Sequence, residues 1–556
     1  METRTLIEFF YEKEKNTPDK PFLRQPFGKH WEVYTYAEAG QMARKLATGL
    51  NSLGLEPKSH IGLISKNCRE WIIADLAIMM AGHVSVPFFP TLTGEQLSQV
   101  IEIGDVKALF VGKLETWDEM KSGVPEGLPI IAFPHYEGNS KVEMGESWQD
   151  FMNRHEPLQG DPKPNLDDLW TIIFTSGTTG TPKGVMHPYK SATSLLDSTK
   201  VNNPFRLDFN GDNEFFSFLP LNHIAERTIV ESACIVFGGQ ISFSESLATF
   251  PQNLRDTQPT LFFAVPRIWT KFQLGVLDKM PQKKLDLYLK IPFLSSMVKN
   301  KIKKSLGMER TRTRISGAAA ISKPLKEWYK KMGIPITEGY GMTENTAACS
   351  CLLDIEHRPG SVGKPQTGVE LKIDESNGEL LMKAPWVMTG YYKSPEKTAE
   401  TLKDGWLHTG DQGRIDEEGY LYLTGRVKDT FKTAKGEFIV PEPIEFKFST
   451  NLDIEQICLL GLGLEQPLAV IVPSELGQKK SREELKDSLA STLQNVNSEL
   501  ASYQRVSTIV ISREPFSVEN GLLTPTLKVK RSVLNTRYQE HCLAWQNDKE
   551  DVIWQE

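Results

Sequence analysis

The sequence predicts an α/β protein built from more than one domain. Within residues 9–111, stretches with apolar residues at helical spacing alternate with short apolar runs, which is the pattern of strand–helix–strand units. Within residues 169–184, a β-branched apolar run changes abruptly into glycine and hydroxyl residues, as expected where a buried strand leads into a loop. The chain has 556 residues, which is more than one hydrophobic core usually organises.

The elements of residues 36–111 follow from this alternation in order. We predict a helix at 36–53, a strand at 60–65, a helix at 70–80, a strand at 84–90, a helix at 95–103 and a strand at 108–111. This rhythm predicts a βαβ sheet. By itself it specifies no function.

Composition and charge narrow the class of function. The formal net charge of −7 gives no general electrostatic reason to bind nucleic acid. The first residues lack a basic region followed by an apolar one, so we expect no secretion. Residues 71–90 form the most apolar early segment, but Asp75, His83 and two prolines interrupt it, and it is too short to span a bilayer.

The cysteines favour a reducing, cytoplasmic location. They are sparse and lack the paired spacing of metal ligands. Cys349 and Cys351 are therefore expected in the core and not at a metal. The six cysteines are Cys68, Cys234, Cys349, Cys351, Cys458 and Cys542.

The loop after residue 176 has the chemistry of a phosphate site. Gly177 and Gly180 let the backbone approach an anion, and Lys183 supplies a positive charge. It is not a Walker loop, because Lys183 follows a proline and no serine or threonine follows it. A purely structural glycine–threonine turn is the alternative. The hydroxyl donors are Thr175, Ser176, Thr178, Thr179 and Thr181.

His223 is a candidate for a substrate pocket. It follows the apolar run 215–221, so we expect it just after a strand. A single histidine is as often a hydrogen-bonded structural residue. Phe262 and Phe263, further along the chain, are expected in the core.

Residues 283–314 differ from the rest of this acidic chain. Basic residues there punctuate apolar ones, a mixture that could meet anionic lipid at a membrane surface or the phosphates of a bulky cosubstrate. A solvated helix face is the alternative, and Pro292 rules out one long helix. The basic residues are Lys283, Lys284, Lys290, Lys299, Lys301, Lys303, Lys304, Arg310, Arg312 and Arg314.

Two further segments complete a nucleotide site. Residues 314–320 are predicted as a strand that ends in small residues, which leave space for a flat ring. Residues 334–344 are predicted as a strand that runs into a turn. In that turn Tyr340 could stack on a base, and Glu344 could bind Mg²⁺ through oxygen.

Five motifs in order resemble the adenylate-forming superfamily, which includes acyl-CoA synthetases, aryl-CoA ligases, firefly luciferases and peptide-synthetase adenylation domains. The resemblance covers nearly the whole chain and implies ATP- and acyl-binding βαβ subdomains in residues 1–427. It also implies a small, mobile α+β domain in residues 428–556, with Lys428 as the hinge. The motifs are residues 175–184, 339–344, 406–411, 419–426 and 428–436.

The resemblance also assigns roles to individual residues. Lys528 matches the lysine of the adenylation step, although Leu527 stands where a glycine is usual, and Lys432 and Gly436 match the coenzyme A path. Asp411 and Arg426 match the residues that bind ribose, and Thr343 and Glu344 those that assist the phosphates and Mg²⁺. The implied phosphate and adenine contacts are Thr175, Ser176, Gly177, Thr178, Thr179, Gly180, Lys183, Ala318, Ala319, Glu338, Gly339, Tyr340, Gly341 and Leu423.

The acid implied by the resemblance has an uncharged acyl tail. Amino-acid-activating relatives place an aspartate where this chain has Ile224. Acetate-activating relatives fill the acid pocket with a tryptophan near residues 339–344, where this chain reads Gly-Tyr-Gly-Met. The phrases 219–227, 259–267 and 520–528 look most like those of bacterial long-chain and bubblegum-type fatty acyl-CoA synthetases. We therefore expect ATP-dependent activation of a medium- to long-chain fatty acid to an acyl adenylate. Transfer to coenzyme A would then give acyl-CoA, AMP and pyrophosphate.

Other functions compete with this expectation. An aryl or other acid could be the substrate, and an acyl carrier protein could replace coenzyme A. A carboxylic acid reductase is disfavoured because we expect no carrier or NADPH-binding domain after the small domain. A nucleotide-binding scaffold is disfavoured by a full set of candidate catalytic residues, which are Lys183, Glu344, Asp411, Arg426 and Lys528.

Overall fold

The fold was analysed in a computed structural model that describes residues 4–176, 182–356, 358–518, 520–524 and 528–555. Two large sheets with helices between and around them form the N-terminal part, and three smaller sheets follow. Several residues of the predicted phosphate loop lie outside the described residues, as do the side chain of Ser176 and Leu527. The loop residues concerned are Gly177, Thr178, Thr179, Gly180 and Thr181.

The eight-stranded sheet carries the phosphate loop. Its five neighbouring pairs from Leu169–Ser176 to Glu146–Ser147 are parallel, whereas Pro182–Pro188 returns antiparallel to Leu169–Ser176. The predicted βαβ sheet is therefore confirmed. In sheet order the strands are Gly390–Tyr391, Pro182–Pro188, Leu169–Ser176, Val84–Phe88, His60–Ser65, Val106–Gly112, Ile130–Ala132 and Glu146–Ser147.

The nine-stranded sheet carries the adenine and His223 segments. Its central strands are parallel, and antiparallel strands close both edges. In sheet order the strands are Lys364–Pro365, Ser350–Leu352, Thr337–Tyr340, Thr313–Ser316, Leu261–Ala264, Glu214–Ser217, Gln240–Phe243, Pro21–Phe27 and His30–Thr35.

The main core lies between these two sheets. Every residue of helix Arg69–Met80 is buried, as expected of a helix covered on all sides. The core cluster includes Ile61 and Leu63 from the first sheet and Phe215 and Ile241 from the second. The two sheets therefore fold as one hydrophobic unit, which fixes the strand ends that carry the site relative to each other.

A buried ionic cluster crosses this core. Arg227 donates to Asp75 at 2.5 Å, to Glu231 at 3.0 Å and to the hydroxyl of Thr171 at 2.7 Å. The Arg227 side chain is fully buried and lies in a π-helical turn, Arg227–Ser232, shortly after His223. It therefore links the strand before the phosphate loop to the segment that carries His223.

The helices of the N-terminal part agree with the periodicity of the sequence. The predicted helices at 36–53, 70–80 and 95–103 are confirmed within a residue or two. The α-helices are Leu6–Asn16, Tyr36–Ser52, Arg69–Met80, Gly94–Ile103, Trp117–Met120, Trp148–Asn153, Tyr189–Asn202, Ile224–Glu226, Ala233–Phe237, Phe250–Thr257, Pro266–Lys279, Gln282–Leu289, Pro292–Ser305, Lys323–Lys331 and Pro395–Thr401. Short 3₁₀ turns span Lys121–Gly123 and Thr343–Asn345.

The predicted break at Pro292 is also confirmed, because the basic segment forms two helices, Gln282–Leu289 and Pro292–Ser305. Their inner side chains, among them Leu285 and Ile302, join a second core cluster with Trp269 and Trp328. All six cysteines are buried and unpaired, so Cys349 and Cys351 are core residues as expected. In the described part of the chain, the helices are too short or too polar to cross a bilayer.

The remaining sheets belong to the last third of the chain. The five-stranded antiparallel sheet consists of Glu370–Ile373, Glu379–Lys383, Trp406–Ile415, Leu402–Lys403 and Leu421–Arg426. A hairpin pairs Phe431–Lys432 with Phe438–Ile439, and a four-stranded sheet contains Ile454–Leu460, Leu468–Pro473, Ile509–Ile511 and Val552–Trp554. The helices around it are Pro441–Phe448, Glu475–Gln478, Arg482–Ser498 and Arg531–Asn547, with a 3₁₀ turn at Ser502–Gln504.

Candidate active site

Thr175 and Lys183 flank the predicted phosphate loop. They face each other across the antiparallel pair that enters and leaves the loop. Burial, followed by the positive charges of Lys397 and Lys428, lowers the pKa of Lys183, while Glu344 opposes this shift. The loop lysine therefore lies close to the predicted metal ligand and to the predicted hinge.

The turn that carries Thr343 and Glu344 is fixed by its backbone. The Nε2 of His187 donates to the carbonyl of Thr343 at 2.8 Å, and the backbone N–H of Met388 donates to the carbonyl of Glu344 at 2.8 Å. A Cβ on Gly341 would lie 2.1 Å from a backbone carbon of Ala347, so this glycine is required by packing of the turn. Burial lowers the pKa of His187 to about 4, which keeps its ring neutral.

Tyr391 is a site residue that the sequence reasoning missed. Its hydroxyl donates to Oε1 of Glu344 at 2.8 Å, and the Nζ of Lys183 lies 5.4 Å from its ring centroid. The neighbouring Tyr392 donates instead to Asp105 at 2.7 Å. Nothing in the sequence distinguishes the two tyrosines, because their different roles come from the distant residues that each one contacts.

Glu344 fits the role of a magnesium ligand shared with a nucleotide. Within the described ranges, no group of three or more histidine, cysteine, aspartate or glutamate side chains could hold a metal by itself. Mg²⁺ is commonly held by one or two carboxylates together with substrate phosphates. A single half-buried carboxylate, with one oxygen already oriented by Tyr391, suits that arrangement.

The candidate adenine residues lie at the ends of two adjacent parallel strands. Thr313–Ser316 leads into Ala318, which has a left-handed φ of 64°, and Ala319 is exposed. On the next strand, the carboxylate of Glu338 accepts from Lys326 at 2.9 Å and from the backbone of Ile321 at 3.5 Å. This carboxylate therefore already has a positively charged partner and a backbone donor.

Asp411 and Arg426, the predicted ribose-binding residues, lie next to each other. They are direct partners across two antiparallel strands, with 3.1 Å between Nε of Arg426 and Oδ1 of Asp411. The hydroxyl of Tyr340 donates to the other oxygen, Oδ2, at 2.5 Å. Leu423 is half-buried on the same strand as Arg426. This carboxylate is therefore oriented between the adenine segment and Arg426.

His223 combines a structural contact with a free ring nitrogen. Its Nδ1 accepts from the backbone N–H of Ala225 at 3.2 Å at the start of a short helix, so Nε2 carries the proton. Burial, and then the charge of Lys528, lower the pKa of His223 to about 4. At neutral pH the ring is an uncharged donor, and Nε2 has no hydrogen-bond partner in the described part of the chain.

Lys528 lies in a tight turn near the charged groups of the candidate site. Its carbonyl accepts from the backbone of Thr524 at 2.8 Å. The side chain is exposed to solvent, yet the surrounding protein, and then Arg426, lower its pKa against the opposing charges of Asp411, Glu442 and Glu344. Lys528 is therefore close enough to Arg426, Asp411, Glu442 and Glu344 for their charges to act on its ammonium group.

Arg531 anchors the turn of Lys528 and was also missed from the sequence. Its guanidinium donates to both oxygens of Glu445, at 2.7 and 2.9 Å, and to the carbonyl of Leu459 at 2.6 Å. Bidentate pairs of this kind fix orientation.

The predicted coenzyme A residues lie on an exposed hairpin. Lys432 and Gly436 are both exposed, and Gly436 has a φ of 86°, which favours glycine. A Cβ there would meet only the flexible end of Lys432, at 3.7 Å. The backbone conformation, and not crowding within this structure, accounts for the glycine.

The family of the chain follows from comparison with known proteins. The family model described as AMP-binding enzyme matches residues 10–392. The chain belongs to the AMP-binding enzyme family. A second model, the AMP-binding enzyme C-terminal domain, matches residues 428–545. The family that the motifs indicated is thereby confirmed.

Curated relatives align with almost the whole of this family member. Long-chain-fatty-acid–CoA ligase 5 of Rattus norvegicus is 32% identical, over 97% of this chain and 88% of that protein. Long-chain-fatty-acid–CoA ligase 1 of Homo sapiens is 30% identical, over 94% of this chain and 82% of that protein.

Solved structures share the fold of this family member. The anthranilate CoA ligase AuaEII in complex with anthranoyl-AMP has a TM-score of 0.77 at 20% identity and covers 96% of this chain and 97% of its own. The A-PCP didomain of carboxylic acid reductase from Segniliparus rugosus in complex with AMP has a TM-score of 0.81 at 23% identity. The match covers 99% of this chain and 83% of that chain. The predicted fold class is confirmed.

Proposed function

We propose that this protein is an ATP-dependent fatty acyl-CoA synthetase for medium- to long-chain acids. The observation that carries the proposal is the proximity of Lys528 to Glu344 and to the Asp411–Arg426 pair. These groups supply positive charge, a magnesium ligand and a ribose acceptor, which are the needs of carboxylate activation by ATP. The names of the relatives, long-chain-fatty-acid–CoA ligases, support the class of acid.

In the first step, a carboxylate oxygen attacks the α-phosphorus of ATP. A new C–O–P bond forms while the bond to the β-phosphate oxygen breaks, and pyrophosphate leaves with its electron pair. Lys528 would offset charge between the carboxylate and the α-phosphate, and Lys183 would offset charge on the leaving group. Mg²⁺ bound to Glu344 would supply further charge neutralisation.

His223 suits the binding of the acid. Because its pKa is about 4, the ring stays neutral and Nε2 donates without contributing a charge that would compete with Lys528. A neutral donor can orient one carboxylate oxygen and leave the other as the nucleophile. His223 would therefore be a binding and positioning group, with no proton to transfer in this step.

In the second step, the sulfur of a thiol attacks the acyl carbon and forms a thioester. The bond from that carbon to the phosphate oxygen breaks, AMP leaves with the electron pair, and the thiol proton passes to solvent. In this structure Lys528 lies near Asp411 and Arg426, whereas the loop of Lys432 and Gly436 is exposed. We propose that residues 428–556 rotate against residues 1–427 about Lys428. The rotation would withdraw Lys528 and bring the loop to the path of coenzyme A.

The preferred length of the acyl chain would be set by burial of its apolar methylene groups. Each buried methylene contributes about 0.8 kcal/mol, which is about fourfold in affinity. An acyl tail of several carbons therefore separates long-chain from short-chain acids strongly, even when the carboxylate contacts are identical. Ile224, buried beside His223, adds no charge that would oppose such a tail.

The test is pyrophosphate release from ATP and Mg²⁺ across saturated acids from acetate to stearate and several aryl acids, with and without coenzyme A. We expect release that peaks at long chains and sustained turnover only with coenzyme A. A peak at aryl acids would contradict the proposed substrate. A single turnover that only an acyl carrier protein relieves would contradict the proposed acceptor.

A further inference from the structure

The two helices of the basic segment expose apolar side chains around the turn that joins them. We name Gln282–Leu289 and Pro292–Ser305, with their connecting residues, the basic hairpin. Leu287, Ile291, Phe293 and Met297 are 58%, 44%, 75% and 55% exposed. Leu285 and Ile302, on the other side, are buried in the core. The hairpin is therefore held in the fold by one side and presents apolar groups on the other.

The same hairpin carries a concentrated positive charge. It contains seven lysines and one acidic residue, Asp286, so its formal charge is +6 in a chain of net charge −7. Asp286 is paired with Lys331 at 2.7 Å. Among the described residues, no carboxylate lies within ion-pair distance of the seven lysines. They are Lys283, Lys284, Lys290, Lys299, Lys301, Lys303 and Lys304.

We propose that the basic hairpin is a docking surface for an anionic lipid bilayer. Lysines beside exposed apolar residues match the two layers of a membrane surface, since the charges meet phosphate headgroups while the apolar groups enter the acyl boundary. Ile291 and Phe293 flank Pro292 at the junction of the two helices, where a protruding corner can insert. Lys290 and Lys299 lie on either side of that corner in sequence.

This surface also bears on substrate supply, a point that rests on the proposed function. The buried side of the hairpin joins the core cluster that contains Phe216, with Phe218 packed against it. Phe216 lies on the strand that precedes His223. A membrane-docked hairpin would therefore hold this side of the acid-binding segment near fatty acids dissolved in the bilayer.

The test is sedimentation of the full chain with vesicles of phosphatidylcholine alone and with about 30% phosphatidylglycerol. We expect binding to the anionic vesicles that weakens as salt rises. Each lysine near such a surface contributes about fivefold in partitioning. We therefore expect partitioning onto anionic vesicles to fall on the order of a hundredfold in the triple variant Lys283→Gln/Lys284→Gln/Lys290→Gln. The matched control Lys15→Gln/Lys20→Gln/Lys29→Gln removes equal charge from exposed lysines elsewhere and should bind as wild type.

Insertion is tested separately from charge. Phe293→Ser should lower partitioning roughly tenfold, while Leu247→Ser, at a residue 93% exposed outside the hairpin, should not. Because the six native cysteines are buried, an environment-sensitive dye can be attached selectively to Phe293→Cys. Its emission should shift to the blue on anionic vesicles, and the same dye on Leu247→Cys should not shift.

Several results would overturn the proposal. The first is absence of binding to anionic vesicles. The second is equal binding of the wild type to neutral and anionic vesicles, and the third is an equal loss of vesicle binding in the hairpin triple variant and the control triple variant. If the basic hairpin bound an acidic protein and not a bilayer, no vesicle binding would be seen. Pyrophosphate release with octanoate, measured without vesicles, should be unchanged in every variant. Failure of the wild type to release pyrophosphate with any saturated acid from octanoate to stearate would refute the proposed function and leave the vesicle result standing.

Discussion

Tyr391→Phe tests whether Glu344 is held ready for Mg²⁺. The change removes the hydroxyl that donates to Oε1 of Glu344 at 2.8 Å. It keeps the ring that lies 5.4 Å from the Nζ of Lys183. Tyr391 is only 6% exposed, so water cannot readily replace the lost donor. The substitution therefore isolates one hydrogen bond.

The size of the effect follows from the charge of the acceptor. A hydrogen bond to a carboxylate contributes about 1.5 to 3 kcal/mol, and each 1.4 kcal/mol is a factor of ten. Removing a group that orients a metal ligand lowers metal affinity by about 10- to 100-fold. We expect the Mg²⁺ concentration for half-maximal pyrophosphate release to rise by about that factor. The rate at saturating Mg²⁺ should stay close to that of the wild type.

The assay is pyrophosphate release titrated with Mg²⁺ at fixed, saturating ATP and acid. Tyr392→Phe is the matched control, because it removes a neighbouring hydroxyl that donates to Asp105. Its Mg²⁺ dependence should not change. An unaltered midpoint in Tyr391→Phe, or equal shifts in both variants, would refute the reasoning.

Four further predictions follow. Lys528→Ala should slow adenylation by about 10² to 10³ or more, seen as loss of pyrophosphate release, and normal release would contradict the assignment. Lys428→Pro should spare adenylation but impair thioester formation, whereas equal loss of both half reactions would count against a hinge. Arg227→Met leaves Asp75 and Glu231 buried without their cation and should cost about 3 to 5 kcal/mol in urea unfolding. Lys121→Met, which breaks the exposed pair with Asp118, should cost under about 1 kcal/mol. His187 has a folded pKa of about 4, below the unfolded value of about 6.5, so the folded state binds fewer protons and stability falls as pH drops from 6.5 to 4. His187→Gln should lessen this fall by about 1.4 kcal/mol per pH unit, and parallel stability curves would contradict it.

Local periodicity was enough to predict much of the fold. The helix at 36–53 and the strand at 60–65 appear as Tyr36–Ser52 and His60–Ser65, because apolar spacing reports directly which face is buried. The strand at 84–90 ends early, at Phe88. The roles assigned by resemblance to Asp411, Arg426 and Lys528 remain predictions, although the structure brings these residues close together.

Contacts between distant segments were not predictable. Tyr391 and Glu344 are 47 residues apart, and Arg227 and Asp75 are 152 apart. No pattern in one sequence indicates which buried polar groups pair over such separations. The pairing of the Glu338 carboxylate with Lys326 is another contact that no local pattern indicates.

The sequence by itself determined the family, the order of the elements and the chemical groups available for activating an acid. These follow from residue types and spacing, which the chain carries locally. Only the tertiary structure decided that Tyr391 and not Tyr392 orients Glu344, that Lys528 lies near Asp411 and Arg426, and that Phe293 faces solvent. Each of these depends on which side chains are brought into contact when two sheets close on a shared core, and burial, pKa and hydrogen bonding arise only from that contact.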